Sequence, residues 1–199
     1  MGAGRIGVLS LQGAVSEHIE AARRTGCSGF AVKNRKDLEA ADALVIPGGE
    51  STAIARLIRK QGLEEEIRSF ARARPLLGTC AGLILCAKEL VACPDPAPLG
   101  VMDIKVERNG FGRQKDSFET DLEVEGIGTV RAVFIRAPFI HAAGPRVRVL
   151  ARFEGKIVMA EQGKTLVTAF HPELTDDGRI FSYFAGKIQA AGPRRLHSD

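Results

Sequence analysis

The stretch RIGVLSLQGAVSEHIEAARRTG, residues 5–26, contains the two periods that decide the fold. Its first seven residues form a compact apolar run that closes at Gln12-Gly13, which predicts a strand followed by a turn. From residue 14 the apolar positions recur at helical spacing up to a terminal Gly26, which predicts a helix and its stop. Strand, turn and helix together are the repeating unit of a parallel sheet, whose strands need a crossover between them.

The unit recurs along the first half of the chain. GFAVKN (29–34) and ALVIPGG (43–49) read as strands, and STAIARLIRKQGLEEEIRSFARA (51–73) reads as helix with a break at Gly62. PLLGT (75–79) is the next strand, and AGLILCAKELVA (81–92) has a helical pattern. Such alternation implies a parallel sheet covered on both faces and built from right-handed crossovers. After the proline-rich CPDPAPLG (93–100) the character changes to alternating runs: VMDIKVER, FETDLEVEG, TVRAVFIRAP, RVRVLARF, KIVMAEQG and TLVTAF. These read as β-hairpins attached to the same sheet. DGRIFSYFAGKIQAA (177–191) places Ile180, Phe181, Phe184 and Ile188 on one face and predicts a closing helix.

The expected fold class is therefore α/β: a three-layer sandwich around a mostly parallel central sheet, with antiparallel strands added in the second half. There is no internal repeat and no long linker, so residues 1–191 are expected to form one domain. Residues 192–199 read as a flexible basic tail.

Composition narrows the function. A chain of 199 residues with 45% hydrophobic content can bury a full core without staples. No apolar run approaches the roughly 20 residues of a spanning helix, and the N-terminus reads as a first strand rather than a signal peptide, so no membrane role is expected. The four cysteines, Cys27, Cys80, Cys86 and Cys93, have no C-x-x-C spacing. They read as free thiols in a reducing cytoplasm, without a structural metal. The net charge of +4 is scattered among 24 acidic residues, and the chain has no tryptophan and one tyrosine, which argues against a nucleic-acid partner.

In an open parallel sheet, ligands sit beyond the carboxyl ends of the strands, and three corners there carry chemistry. GTCAG (78–82) has the G-x-nucleophile-x-G form, in which flanking glycines permit a sharp, strained turn from strand to helix. At the start of that helix the dipole favours a Cys80 thiolate, and the Ala81 N–H is available to an oxyanion. Read alone, the segment leaves open a small apolar filler in a core, the role assigned here to Cys27, Cys86 and Cys93.

FHPEL (170–174) is the second corner. A spacing of two puts His171 and Glu173 on the same side of an extended segment, with Pro172 fixing the backbone, as a base and its orienting carboxylate require. A solvated histidine is the other reading. The third corner, PGGEST (47–52), lets backbone N–H groups approach a ligand, with Ser51 or Thr52 capping the next helix and Glu50 beside them. A simple tight turn would explain its glycines but give Glu50 no purpose. Taken together, the corners supply a nucleophile, an orienting pair and an oxyanion loop. The other histidines read as solvated: His18 on a helix, His141 in a loop and His197 in the tail.

In their order and spacing, PGGEST, GTCAG and FHPE resemble class I, triad-type glutamine amidotransferases, which have a flavodoxin-like fold. More narrowly, GVLSLQGAVSEHIEA, VERNGFGRQKDSFE, FIRAP and FHPELT look like the glutaminase subunits of pyridoxal 5′-phosphate synthases, a resemblance that runs from about residue 6 to residue 185. It implies Cys80 as nucleophile, His171 as base and Glu173 as its orienting carboxylate. It implies glutamine binding by Gly48, Gly49, Glu50, Arg108, Ile135 and Arg136, an oxyanion site at Gly49 and Ala81, and a part for Gln12 in activation. No cofactor is implied. The implied partner is a synthase subunit, a (β/α)₈ barrel that combines ammonia with a pentose phosphate and a triose phosphate within a hetero-oligomer. Such glutaminases are weak until the barrel docks, and the LQGA segment lies at that interface. Two alternatives stay open: service to another synthase, against which VERNGFGRQ argues, and a silent regulatory subunit, against which the full triad argues.

Overall fold

The computed structural model describes residues 4–92, 97–111 and 117–190. Cys93, the predicted tail and His197 lie outside them, as does the middle of VERNGFGRQKDSFE. The first half follows the alternation: β1 (Arg5–Leu9), α1 (Val15–Arg24), β2 (Ser28–Val32), α2 (Arg35–Glu39), β3 (Ala43–Ile46), α3 (Ser51–Lys60), α4 (Glu64–Ala73), β4 (Leu76–Thr79) and α5 (Ala81–Cys86). Then follow β5 (Glu89–Leu90), β6 (Ile104–Glu107), β7 (Ser117–Val124), β8 (Gly128–Ile135), β9 (Phe139–Ala143), β10 (Arg148–Phe153), β11 (Lys156–Gln162) and β12 (Thr165–Thr168). A 3₁₀ turn (Pro172–Leu174) and α6 (Arg179–Ala190) close the chain.

Among the described residues, ten strands form one sheet in the order β2-β1-β3-β4-β12-β11-β9-β6-β5, with β10 paired to β11. The first five are mutually parallel, and β12, β11, β9 and β6 then alternate in direction. The order explains the layers. The chain steps one way from β1 to β2 and the other way from β2 to β3, so right-handed crossovers put α1 on one face and the helices after β2 on the other. Packing agrees, with α1 against α6 and α3 against α5. Every residue of β3, β4 and β12 is buried, the pattern of strands covered on both faces.

Four details differ from the sequence reading. The short α2 was not anticipated; Asn34 starts it by accepting a hydrogen bond from Asp37 N. Helix α5 ends at Cys86 instead of running to residue 92, because the next backbone groups pair elsewhere: Lys88 N donates to Ile104 O and Val91 N to Val106 O. Strand β12 is no mere hairpin arm, since it lies parallel to β4 over four residues. Finally, β7 and β8 form a separate two-stranded sheet. Phe118 and Phe134 stack at 4.7 Å and pack on Phe153 of β10 and on Phe170, so this hairpin covers the main sheet with its apolar side instead of extending its edge.

Candidate active site

The strand order sets the site. It reverses between β1 and β3, the kind of crevice where open α/β sheets bind ligands, and β1, β3, β4 and β12 are consecutive neighbours there. Their carboxyl-end loops carry Gln12, Gly48 to Glu50, Cys80, and His171 with Glu173. A parallel sheet thus brings residues 12 to 173 to one edge with no help from sequence proximity.

Cys80 occupies the turn between β4 and α5 with φ 48° and ψ −100°, a conformation that costs a non-glycine residue on the order of 1–3 kcal/mol. Its N–H donates to Thr168 O of β12 at 2.8 Å, which ties the strained corner to the neighbouring strand. The close approach that makes the corner sharp depends on Gly82, where a Cβ would fall 2.1 Å from Ile46 O of β3. Cys80 is buried, with 8% of the residue exposed. Cys86, one and a half turns further on, is fully enclosed, and burial pushes its thiol pKa up, as suits a filler.

His171 follows β12. Its N–H donates to Val133 O of β8 at 2.8 Å, so the separate hairpin fixes this corner. Pro172 opens a 3₁₀ turn rather than the extended segment read from the sequence, and that turn brings Glu173 back under the ring. His171 Nδ1 and Glu173 Oε1 are 2.7 Å apart; a carboxylate only accepts, so Nδ1 carries the proton. The Nε2 atom is buried with no hydrogen-bond partner, and His171 Cε1 and Cys80 Cβ both lie against Gly48. Burial alone would lower the pKa of the ring. The neighbouring Cys80, and the hydrogen bond and charge of Glu173, overcome that and push it up to about 10. The ring is thus favoured in its protonated form, with Glu173 on Nδ1.

The loop after β3 closes the third side. At Gly48 a Cβ would fall 2.6 Å from His171 Cε1 and 3.5 Å from Cys80 Cβ, so only glycine leaves the ring its place. Glu50 itself caps α3, accepting from Thr52 N at 3.0 Å and Ala53 N at 2.6 Å, a role the sequence reading had given to Ser51 or Thr52. Burial works against its charge, but the two backbone donors and Arg108 hold its carboxyl below the ordinary range. Arg108, just after β6, brings Nη2 to 3.7 Å from Glu50 Oε1. Gln12 accepts the Glu50 N–H through Oε1 at 2.9 Å, and Ala14 N donates to Gly48 O at 3.1 Å, so the segment after β1 is fastened to this loop.

Cys80, His171, Glu173, Gly48, Gly49, Glu50 and Gln12 therefore converge, Ala81 adjoins the cysteine, and Arg108 reaches in from β6. Ile135 ends β8, half-buried, and Arg136 follows it, exposed and with φ 42°. Their strand meets the site through Val133. His141 lies on β9 rather than in a loop and pairs with Glu107 at 3.6 Å. His18 is not solvated but completely buried, with Glu173 and Thr79 for neighbours. Its position was legible: three and four residues before Ala21 and Ala22, it lies on the helix face that enters the core.

The arrangement sets a buried thiol near an imidazole whose other nitrogen is held by a carboxylate, beside two glycine-bearing loops. That is equipment for acyl transfer through a thioester. The sequence comparisons agree in class. A model of the SNO glutamine amidotransferase family matches residues 8–190. The chain is 52% identical over 189 residues to a pyridoxal 5′-phosphate synthase subunit PdxT from Geobacillus kaustophilus, covering 94% of this chain and 96% of that one. It is 51% identical to the PdxT of Niallia circulans, with 94% and 99% covered. A crystal structure of a glutamine amidotransferase superposes with a TM-score of 0.89 at 48% identity, over 92% of this chain and 98% of the other.

Proposed function

Because the chain belongs to the SNO glutamine amidotransferase family, we propose that it hydrolyses L-glutamine to L-glutamate and ammonia as the glutaminase subunit of a pyridoxal 5′-phosphate synthase. The observation that carries this reading is the meeting of Cys80, His171 and Glu173 at the ends of β4 and β12, with the His171 ring bonded to Glu173 at 2.7 Å.

Cys80 Sγ attacks the side-chain carbonyl carbon of glutamine and forms a tetrahedral adduct. His171 gives its Nε2 proton to the amide nitrogen, the C–N bond breaks and ammonia leaves a glutamyl thioester. His171 then takes a proton from water, whose oxygen attacks the thioester and releases glutamate. Glu173 keeps the ring oriented and favours its cationic form. The N–H groups of Ala81 and Gly49 receive the oxyanion, a contribution of typically ~10²-fold or more per donor. The substrate's α-carboxylate and α-ammonium suit a cation and an anion, so Arg108 and Arg136 take the first and Glu50 the second. Backbone groups near Gly48 and Ile135 complete the pocket.

Ammonia is useful to a synthase only while unprotonated, which calls for direct delivery to a docked partner. The partner is a (β/α)₈ barrel synthase subunit, and the two chains form a hetero-oligomer in the cytoplasm, with no cofactor on this chain. Among the described residues, no helix is long and apolar enough to cross a membrane. The reading is tested by ammonia release from glutamine with and without the synthase subunit. Expected is a rate that rises at least tenfold on mixing; no release under either condition sinks it.

Gln12 is the joint between the β1 segment and the Glu50 loop. Gln12→Ala removes that acceptor, and stimulation by the synthase subunit is expected to fall about tenfold, the scale of one misplaced donor loop. A variant stimulated as strongly as the parent chain would contradict this part for Gln12.

A further inference from the structure

Helix α1 carries a histidine that the mechanism above does not use. His18 is completely buried, with its ring edge-on to Phe181 at 6.0 Å, and both of its nitrogens have polar neighbours. Nδ1 lies 2.6 Å from Ala14 O, and Nε2 lies 2.9 Å from Thr79 Oγ1 and 3.4 Å from Glu173 Oε2. A carbonyl oxygen can only accept, so Nδ1 bears a proton. Burial lowers the ring's pKa against the pull of Glu173, so the ring is neutral and its Nε2 accepts the Thr79 hydroxyl proton. The charged groups facing it are Glu173 and His171 from the corner after β12, and Glu17 from its own helix.

This arrangement has a consequence for Glu173. One carboxylate oxygen receives the His171 Nδ1–H; the other, Oε2, is buried with no hydrogen-bond partner. The Thr79 hydroxyl, which meets the same His18 Nε2 as Oε2 does, is turned to that ring. The carboxylate's charge is then answered by His171 and by no competing donor. At its far side the same ring is held by Ala14, whose N–H is bonded to Gly48 O. Thr79 immediately precedes Cys80. His18 thus joins the segment after β1, the residue before the nucleophile and the carboxylate of the triad.

We infer that His18 is a positioning residue for the triad: its clamped ring backs Glu173, occupies the Thr79 hydroxyl and so directs the carboxylate wholly to His171. The inference rests on the glutaminase reading above. Asparagine at 18 can keep an N–H for Ala14 O but has nothing at the place of Nε2. The Thr79 hydroxyl is then free to bond Glu173 Oε2, which weakens the hold of the carboxylate on His171 and lowers that ring's pKa.

The test follows glutamine hydrolysis across pH, with the synthase subunit present, for the parent chain, His18→Asn, Glu173→Gln and the double variant. Expected for His18→Asn are a kcat about tenfold lower, a KM within about twofold, and an alkaline limb displaced to lower pH. In the Glu173→Gln background the same change should lower kcat less than about threefold, because both act through one carboxylate. An unmoved pH profile, or a full tenfold further loss in the double variant, overturns the inference. Should His18→Asn fail to fold, the parent chain decides: with ¹⁵N-labelled histidine, alkylating Cys80 with iodoacetamide is expected to move the ring-nitrogen signals of His18, and unmoved signals overturn it. A parent chain that releases no ammonia instead refutes the glutaminase reading, which keeps the two failures apart.

Discussion

Replacing Cys80 with alanine is expected to lower glutamine hydrolysis by ~10⁴-fold or more, to the level of the uncatalysed background, while the folded chain remains. The loss is this large because nothing nearby can take over the covalent step. Cys86 shares the helix but is fully enclosed, and burial holds its thiol protonated. Cys27 is half-buried at the other end of the sheet, before β2. Folding should survive because alanine meets the same positive φ as cysteine, so the strain at the corner is neither added nor relieved. The substitution deletes a single side-chain atom, which puts the stability change at about 1 kcal/mol. The check is ammonia release in the presence of the synthase subunit, beside a thermal unfolding curve. A variant that keeps a tenth of the parent rate removes Cys80 from the nucleophile's role; one that is inactive because it is unfolded shows itself in the melting curve.

The corner around Cys80 also shows which parts of the structure could be read in advance. Period-2 and period-3.6 patterns are local, and they located β1, α1, the break between α3 and α4 at Gly62, and α6 to within a few residues. Glycines that flank a would-be nucleophile report a close approach that no other residue permits, and Gly82 against Ile46 O is such an approach. Residues far apart in the chain could be assigned to one edge because a parallel sheet puts successive strand ends side by side.

What could not be read was decided by partners distant in sequence. The pattern of residues 81–92 is helical, yet β6 takes over the backbone groups after Cys86, and no local propensity reveals that competition. The hairpin β7–β8 alternates as any half-buried pair does; its phenylalanines, not its period, choose to cover the main sheet. The cap of α3 was assigned to Ser51 or Thr52 because those are the commoner caps, whereas here the Glu50 carboxylate accepts from two N–H groups and also meets Arg108. His18 was missed for a different reason. It was weighed as a residue type, and histidines are often solvated, when its place on the helical wheel beside Ala21 and Ala22 already put it inside.

The other large effect should come from Glu173→Gln, which removes a charge and keeps the shape. The amide can present its oxygen to the His171 Nδ1–H, as the carboxylate does at 2.7 Å. The ring of His171 then stays in place, and the variant isolates the electrostatic part of the carboxylate's action. In the parent chain, burial opposes the imidazolium, while the neighbouring Cys80 and the hydrogen bond and charge of Glu173 raise its pKa to about 10. Deleting the Glu173 charge must lower it. Expulsion of ammonia needs the protonated ring, so activity is lost as pH rises through that pKa, and the alkaline limb of kcat/KM should move to lower pH. At neutral pH kcat is expected to fall ~10²- to 10⁴-fold, the range that follows when a base loses its orienting anion. The KM for glutamine should change little, because Glu173 is buried behind the base and touches no substrate atom in the proposed pocket. The measurement is a pH–rate profile of the variant with its synthase subunit. An alkaline limb that stays where the parent's lies would mean that Glu173 only holds the ring in position and does not supply the charge that keeps it protonated.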